Sequence, residues 1–442
     1  MTIKKLDLGG MDLLGADLDK FARLFPDLVT EERDETGRLK KSIDFEKFKA
    51  RFSADIISEG KERYEFTWPG KRAAMAEANS PINKTLRPVV EESKNWDSTE
   101  NLYIEGDNLE VLKLLQESYL GKIKMIYIDP PYNTGNDFVY NDDFKENLDE
   151  YNEDNADYDE EGGKLIKNTE SNGRFHSDWC SMIYPRLKLA RNLLTDDGVI
   201  FISIDDNEQE NLKKICDEVF GDSNIKGTFV WRKTHTQTNI GDFARVKEYI
   251  YCYSKNSKSN KFNRVPLTNL EEYRYQDEFG EKFRRVNLID STRGRYEYEI
   301  INPNGNSVFG KWMKPKDDVL KMIDNNDVYW AGETPYGKNY LKNMQKKGQI
   351  ANDFLGIEYG TNQRSTMRLD KLMDGRMFDF SKPLELLNFF LTIGSHEDSL
   401  ILDFFSGFRV IIVIEANSYV NIRSSRLLPK FKTQKINSWC AA

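Results

Sequence analysis

Four residues, Asp129-Pro130-Pro131-Tyr132, place a carboxylate, two locked peptide units and an aromatic ring directly behind the apolar run Met125-Ile126-Tyr127-Ile128; Asn133-Thr134-Gly135 follows. The run is short, β-branched or aromatic, and ends at prolines that cannot continue a ladder, which predicts a buried strand. The tetrapeptide therefore stands at a strand's carboxyl end, where open α/β sheets bind ligands. Consecutive prolines fix the backbone, so the Asp129 carboxylate and the Pro130 carbonyl point in set directions. Tyr132 adds a flat face on which a nucleobase can stack. The plain alternative is a strand that simply ends in a Pro-rich turn.

Rigid elements must hold these residues, and the sequence from Asn101 to Lys255 has an α/β pattern. Residues 103–104, 125–128, 199–204 and 249–253 read as strands, and 109–115 and 207–219 as helices. Residues 181–194 read as an amphipathic helix with basic outer positions. In the charged, helix-rich stretch before residue 97, Leu18, Phe21, Leu24 and Phe25 recur at helical spacing, as do Phe45, Phe48 and Phe52. Packing or partner docking suits these better than catalysis. From about Asn256 to Asp370 the chain turns aromatic, basic and Gly-rich, as at Arg284-Arg285, Arg293-Gly294-Arg295-Tyr296 and Lys311-Trp312-Met313-Lys314. Cations interleaved with rings suit phosphate and base contacts, which makes Arg293, Arg295, Tyr296, Lys311 and Trp312 candidate DNA contacts. Taken singly, any of these arginines reads as ordinary surface charge.

A chain of 442 residues is long enough for two or three domains. Its net charge of −9 is uneven: residues 141–161 hold eleven acids and one lysine, or −10, leaving +1 for the rest. That run reads as a solvated loop, since like charges repel and nothing apolar anchors them. The four cysteines (180, 216, 252, 440) and three histidines (176, 235, 396) are scattered, which argues against a metal centre or a histidine-based triad. No signal peptide opens the chain and no apolar run approaches about 18 residues, so a soluble, cytoplasmic protein without a membrane partner is expected.

The tetrapeptide and its surroundings closely resemble the amino-methyltransferases that modify adenine N6 or cytosine N4 in DNA. The longer match is to the modification subunit of Type III restriction-modification systems. Its blocks here are Phe66-Thr67-Trp68-Pro69-Gly70-Lys71, residues 105–113 and 125–144, Tyr184-Pro185-Arg186-Leu187-Lys188-Leu189-Ala190, and residues 198–207. Phe378-Asp379-Phe380-Ser381-Lys382-Pro383 and Ile401-Leu402-Asp403-Phe404-Phe405-Ser406-Gly407 complete the set. They follow the order of the group that places its catalytic motif before its cofactor motif. The resemblance implies an α/β fold: a Rossmann-like, mostly parallel sheet that binds S-adenosylmethionine, incomplete at the C-terminus, with an inserted target-recognition region. Its divisions are a helical N-terminal region (1–97), a catalytic half (98–255), the target-recognition region (256–375) and the start of a cofactor-binding half (376–407). Double-stranded DNA, a restriction subunit and, in intact members, a second modification subunit are the implied partners.

The implied chemistry explains the motif. An exocyclic amine is a weak nucleophile because its lone pair is delocalised into the ring. Asp129 and the Pro130 carbonyl would accept its two N–H groups and expose that lone pair, by preorganisation rather than strong basicity. The base must leave the duplex to reach them, and Tyr132 would restore some of the lost stacking. Asp129, Pro130, Pro131 and Tyr132 are thus the implied catalytic residues. Adenine is favoured over cytosine because the cytosine-N4 enzymes of the family more often carry Ser where Asp129 stands. Asp403, Phe405 and Gly407 at a strand end, Lys382-Pro383 ahead of it, and Asp107 are the implied cofactor residues. Asp107 reads equally as the N-cap of the helix that follows.

The motif resemblance stops after Gly407, where Phe408-Arg409-Val410 replaces the family's second glycine; a non-Gly residue at positive φ there would cost about 1–2 kcal/mol. Residues 408–442 carry six Lys/Arg against one acid and read as an aberrant tail left by a shifted reading frame, or as a natural short variant. On this reading the chain lacks the strands that follow the glycine turn and is inactive alone. Two other classes remain: a non-catalytic remnant that binds DNA or docks a restriction subunit, and a methylase of RNA or protein. The long target-recognition interval disfavours the last.

Overall fold

Two apolar runs read as buried strands pair side by side, and a sheet extends outward from them. The computed structural model describes residues 13–33, 39–52, 65–93, 95–135, 138–140, 156–158, 164–167, 173–236, 242–373, 381–405, 410–415 and 432–438. Its main sheet comprises β1 (Lys84–Val89), β2 (Leu102–Glu105), β3 (Ile123–Ile128), β4 (Leu194–Ile204), β5 (Ile225–Arg232), β6 (Lys247–Ser254), β7 (Phe354–Leu355), β8 (Leu400–Asp403), β9 (Val410–Glu415) and β10 (Lys432–Ser438). Their order across the sheet is β7-β5-β6-β4-β3-β8-β9-β2-β10-β1. β3 runs parallel to both β4 and β8. Beyond this parallel centre, β6 is antiparallel to β4 on one side and β9 is antiparallel to β8 on the other. The sheet is mixed.

Side chains alternate faces along a strand, and both faces here are apolar. Ile126 and Ile128 lie opposite Ile200 and Ile202. All four pack with Leu112, Ile183, Leu187 and Leu212 of α1 (Asn108–Tyr119), α2 (Phe175–Leu193) and α3 (Gln209–Phe220). The intervening Tyr127 and Phe201 meet Phe390 of α4 (Leu384–Gly394), with ring centroids 5.9 and 4.6 Å apart. Full burial of such side chains stabilises by about 1.5–3 kcal/mol each. Gly394 lets α4 press on the sheet: a Cβ there would lie 2.9 Å from Phe201 and 3.2 Å from Met125 Sδ.

Three readings change. The helix expected at 181–194 starts at Phe175, and its Arg186 is fully buried rather than on an outer basic face. There Nε donates to Asn108 Oδ1 (2.6 Å) and an Nη to the Met182 carbonyl (2.7 Å), so partners offset the desolvation of the charge. β5 was not foreseen, because Lys226 and Gly227 interrupt its apolar pattern. The tail expected to add no strand supplies β9 and β10, which join β2. Val410-Ile411-Ile412-Val413-Ile414 is a β-branched run that satisfies the strand criterion whatever its origin.

Ahead of the sheet, the helices Leu13–Leu24 and Phe45–Arg51 bring Phe21, Phe25, Phe48 and Phe52 into mutual ring contact. The chain divides into two compact units, residues 1–262 with 353–442, and Asn263–Asn352. The second unit has its own four-stranded antiparallel sheet, Tyr275–Gln276, Lys282–Asn287, Thr334–Tyr340 and Val328–Ala331 in spatial order, and a hairpin of Tyr296–Ile301 with Ser307–Trp312. Leu288, Ile300, Trp312, Val319 and Val328 form its core.

Candidate functional site

The pairings fix which strand ends share an edge. β2, β3, β4 and β8 all point the same way, and their carboxyl ends lead into Asp107, Asp129, Asp205 and Asp403. β6 is antiparallel to them, so its first residues, Lys247-Glu248, arrive at the same edge. Four carboxylates on one sheet edge repel one another, and Lys382, from the segment ahead of α4, counters two of the acids gathered there.

Lys382 Nζ lies 3.0 Å from Asp129 Oδ2 and 3.1 Å from Glu248 Oε2, and donates to the Tyr132 hydroxyl at 2.8 Å. That hydroxyl donates to Asp129 Oδ1 (2.8 Å) and stands 3.1 Å from Glu248 Oε2. Lys233 Nζ reaches the other Glu248 oxygen at 3.2 Å. Glu248 is only 3% exposed. Burial alone would raise its pKa, but the ammonium groups of Lys382 and Lys233 outweigh burial and hold it below the ordinary carboxylate value. Burial likewise opposes the charge on Lys382, yet Asp129 and Glu248 push it up to about 12. Burial and the flanking carboxylates drive the Tyr132 phenol well above its ordinary value, so it stays protonated and able to donate. Two carboxylates, two ammoniums and a phenol thus form a charge-balanced cluster around Asp129.

The turn after Asp129 is held as firmly. Trp179 of α2 donates its indole N–H to the Pro131 carbonyl at 2.8 Å. Asn133 adopts φ +59°, a left-handed conformation that Asn tolerates better than most residues. Its amide donates to Glu208 Oε1 (2.6 Å) and to the Phe175 carbonyl (3.2 Å). Glu208 is fully buried, also accepts from Asn211 (2.8 Å), and lies 2.6 Å from His176 Nδ1. Tyr132 therefore sits between two tethered neighbours.

Beside this cluster the loops after β2 and β8 are joined. Asn108 Nδ2 donates to the Phe404 carbonyl at 3.0 Å, while its Oδ1 accepts from Arg186. Asp107 Oδ1 accepts from the Glu110 N–H at 3.0 Å, the N-cap geometry, and its Oδ2 lies 3.6 Å from the Arg186 guanidinium. Asp403 Oδ1 accepts from the Phe405 N–H at 2.9 Å, and Phe405 is buried. Pro383 is the N-cap residue of α4 and is buried. Gly407 lies outside the described residues.

A family model described as DNA methylase matches residues 123–418, which contain this cluster, the hydrogen-bonded turn and β8. The chain belongs to the DNA methylase family. The match runs past Gly407, where the motifs quoted above end. The Mod subunit of the Type III restriction-modification enzyme EcoPI of Escherichia phage P1 is 34% identical over 417 residues, covering 84% of this chain and 63% of the relative. The StyLTI Mod subunit of Salmonella typhimurium is 34% identical over 415 residues, covering 89% of this chain and 62% of the relative. This DNA methylase family chain thus spans less than two thirds of those relatives' lengths. Among solved structures, a cytosine-N4-specific PvuII DNA methyltransferase aligns with a TM-score of 0.38 and 14% identity over 76% of this chain and 82% of that one.

Glu248 and Lys233 were missed from the sequence of this family member. The strand read at 249–253 starts at Lys247, and Glu248 is then in phase with Ile250 and Cys252, both buried, a carboxylate on an apolar face where only a cation could keep it ionised. In the second unit the candidate DNA contacts separate. Arg293 is exposed and pairs with Asp290 (2.7 Å), Lys311 pairs with Glu297 (3.4 Å), and Arg295 and Tyr296 are exposed. Trp312 is fully buried, stacked on Tyr298 at 5.0 Å with its indole N–H donated to the Tyr298 carbonyl, so it is core and not a DNA contact. A tryptophan beside lysines looked like a surface stacking platform, but the hairpin turns it inward.

Proposed function

We propose that this chain carries the methyl-transfer site of a DNA amino-methyltransferase, acting on the exocyclic amine of a flipped-out base, with adenine N6 the favoured target. The observation that supports this most is the Asp129–Tyr132–Lys382 cluster at the carboxyl edge of the parallel strands. Similarity to Mod subunits extends the reading to double-stranded DNA as substrate, a restriction subunit and a second Mod copy as partners, and a cytoplasmic setting; among the described residues no helix is long and apolar enough to cross a membrane.

S-adenosylmethionine, when bound, supplies an electrophilic methyl group on its sulfonium. The linked loops after β2 and β8 fit such a group: Asp107 and Asp403 offer carboxylates for hydroxyl and ammonium donors, next to the ring of Phe405. Lys382, next to Pro383 in the chain, contacts Asp129. At the other end, Asp129 already accepts two donors, Tyr132 O–H and Lys382 N–H. A base amine takes the place of the Tyr132 O–H on Asp129 Oδ1, and Lys382 stays paired with Asp129 Oδ2 and with Glu248. The Pro130 carbonyl takes the second amine N–H, its direction set by the Trp179 tether on Pro131. Much of the acceleration on this scheme is positioning.

The test is S-adenosylmethionine binding by the purified chain, followed by radiolabelled methyl transfer to mixed-sequence duplex DNA. The motif-based expectation is inactivity alone; because the tail supplies β9 and β10 to the sheet, the chain is instead expected to bind the cofactor and label DNA. Binding of neither would return the chain to the non-catalytic reading.

A further inference from the structure

The second unit holds a surface pocket of about 590 Å³ that the candidate contacts on the hairpin do not touch. Arg285 is one of three arginines that line it. Its guanidinium lies 4.4 Å from the Tyr275 ring centroid and 4.7 Å from that of Tyr336. With the Tyr329 ring 5.9 Å away, three ring contacts hold the planar fork in place, and among the described residues the guanidinium makes no hydrogen bond or ion pair. Arg284 pairs through one Nη with Glu272 at 2.7 Å, while its Nε is buried without a hydrogen-bond partner. Arg274, over the outer side of Tyr275 at 5.5 Å, also lines the pocket.

We infer that this pocket reads a base edge in the major groove of duplex DNA, with Arg285 as the specificity-determining donor and guanine as its target. This rests on the DNA-methylase reading above and adds to it the surface that selects sequence. A flat, immobilised guanidinium presents paired N–H groups that match guanine O6 and N7. The same fork also matches a phosphate, but the lining argues against that. Glu271 and Glu272 border the pocket, and Glu272 is already paired with Arg284, so much of the arginine charge that would draw a phosphate is offset, whereas a base pair presents donors and acceptors together. Asn287, which can both donate and accept, suits the same mixed edge, while the Asn269 amide donates to Glu272 at 3.0 Å.

The experiment selects binding sites from a randomised duplex pool with the full chain in the presence of S-adenosylmethionine, then repeats selection and affinity measurement with Arg285→Lys and Arg285→Ala. The chain should select a site containing a fixed G·C pair. Both variants should lose roughly 5- to 150-fold discrimination at that one pair. Arg285→Lys should keep affinity for non-cognate DNA, because charge is retained while the planar fork is lost. A far-ultraviolet melt confirms that each variant folds, and the conservative lysine keeps the test valid should the alanine variant unfold. Equal weakening on all sequences would mark Arg285 as a phosphate contact and overturn the inference, as would unchanged discrimination in Arg285→Lys. A wild-type chain that binds no DNA overturns the methylase reading itself, a result separable from either.

Discussion

Lys382→Met keeps the side chain's length and removes the charge that two carboxylates share. In the folded protein an ammonium raised from 10.5 to about 12 is stabilised by about 2 kcal/mol. Truncating one partner of a buried pair adds the cost of the charge left behind, giving about 3–5 kcal/mol in all. Lys233, still 3.2 Å from Glu248, offsets part of this, so a loss of about 3 kcal/mol is expected. The pH dependence is more telling. Lys382 has a raised pKa, so its contribution is full below 10.5 and is lost only as pH climbs through about 12. Glu248 has a lowered pKa, so its contribution is present above the ordinary value of 4.5 and is lost as pH falls through its folded value. The wild type is therefore insensitive to this cluster between about pH 5 and pH 8. In the variant, Asp129 and Glu248 face each other with one cation fewer. One of them acquires a folded pKa above its unfolded value, and stability returns as pH falls through it. Urea unfolding followed by tryptophan fluorescence should show a deficit largest near about pH 8 and clearly smaller near about pH 5. A deficit below about 1 kcal/mol, or one equal at both pH values, would mean that the cluster is not a coupled charge network.

Three further outcomes follow from the same geometry. Asp129→Ala should abolish methyl incorporation while leaving DNA affinity nearly unchanged, since in the proposed scheme the carboxylate meets the amine and not the backbone; retained activity in a radiolabel assay sinks the mechanism. Trp179→Phe removes the donor on the Pro131 carbonyl and should cost about 1 kcal/mol of stability, with a larger fall in kcat than in cofactor affinity. An unchanged kcat would show that the tether does not position the motif. Trp312→Ala should destabilise the second unit by about 3–5 kcal/mol, read as an early phase in chemical unfolding. Weaker DNA binding with unaltered unfolding would restore Trp312 as a contact and refute its placement in the core.

The local sequence determined a great deal here, because its strongest signals depend on neighbours only. A short β-branched run stopped by two prolines has one economical conformation, and β3 with Asp129 at its carboxyl end followed from that. β4, α1 and α3 were legible for the same reason: their apolar periods are unbroken. The Asp107 cap was visible as one of two readings, and the geometry of Glu110 N–H shows the cap. The Val410–Ile414 run also carries its own strand signal, since β-branched residues favour a strand whether or not a family motif surrounds them.

Tertiary structure decided whatever depends on partners distant in sequence. Lys382 meets Tyr132 across 250 positions, and no local pattern says which acid a lysine will neutralise. Glu248 carries no local signal of its role, which Lys382 and Lys233 create by closing on it. Arg186 and Trp312 were assigned to surfaces by their types, yet Asn108 and the Met182 carbonyl make one burial tolerable and Tyr298 completes the other. Local sequence fixes where a side chain starts and in which phase it points. Whether it ends in water or in the core depends on what the rest of the chain brings to cover or pair it, and that is a property of the assembled fold.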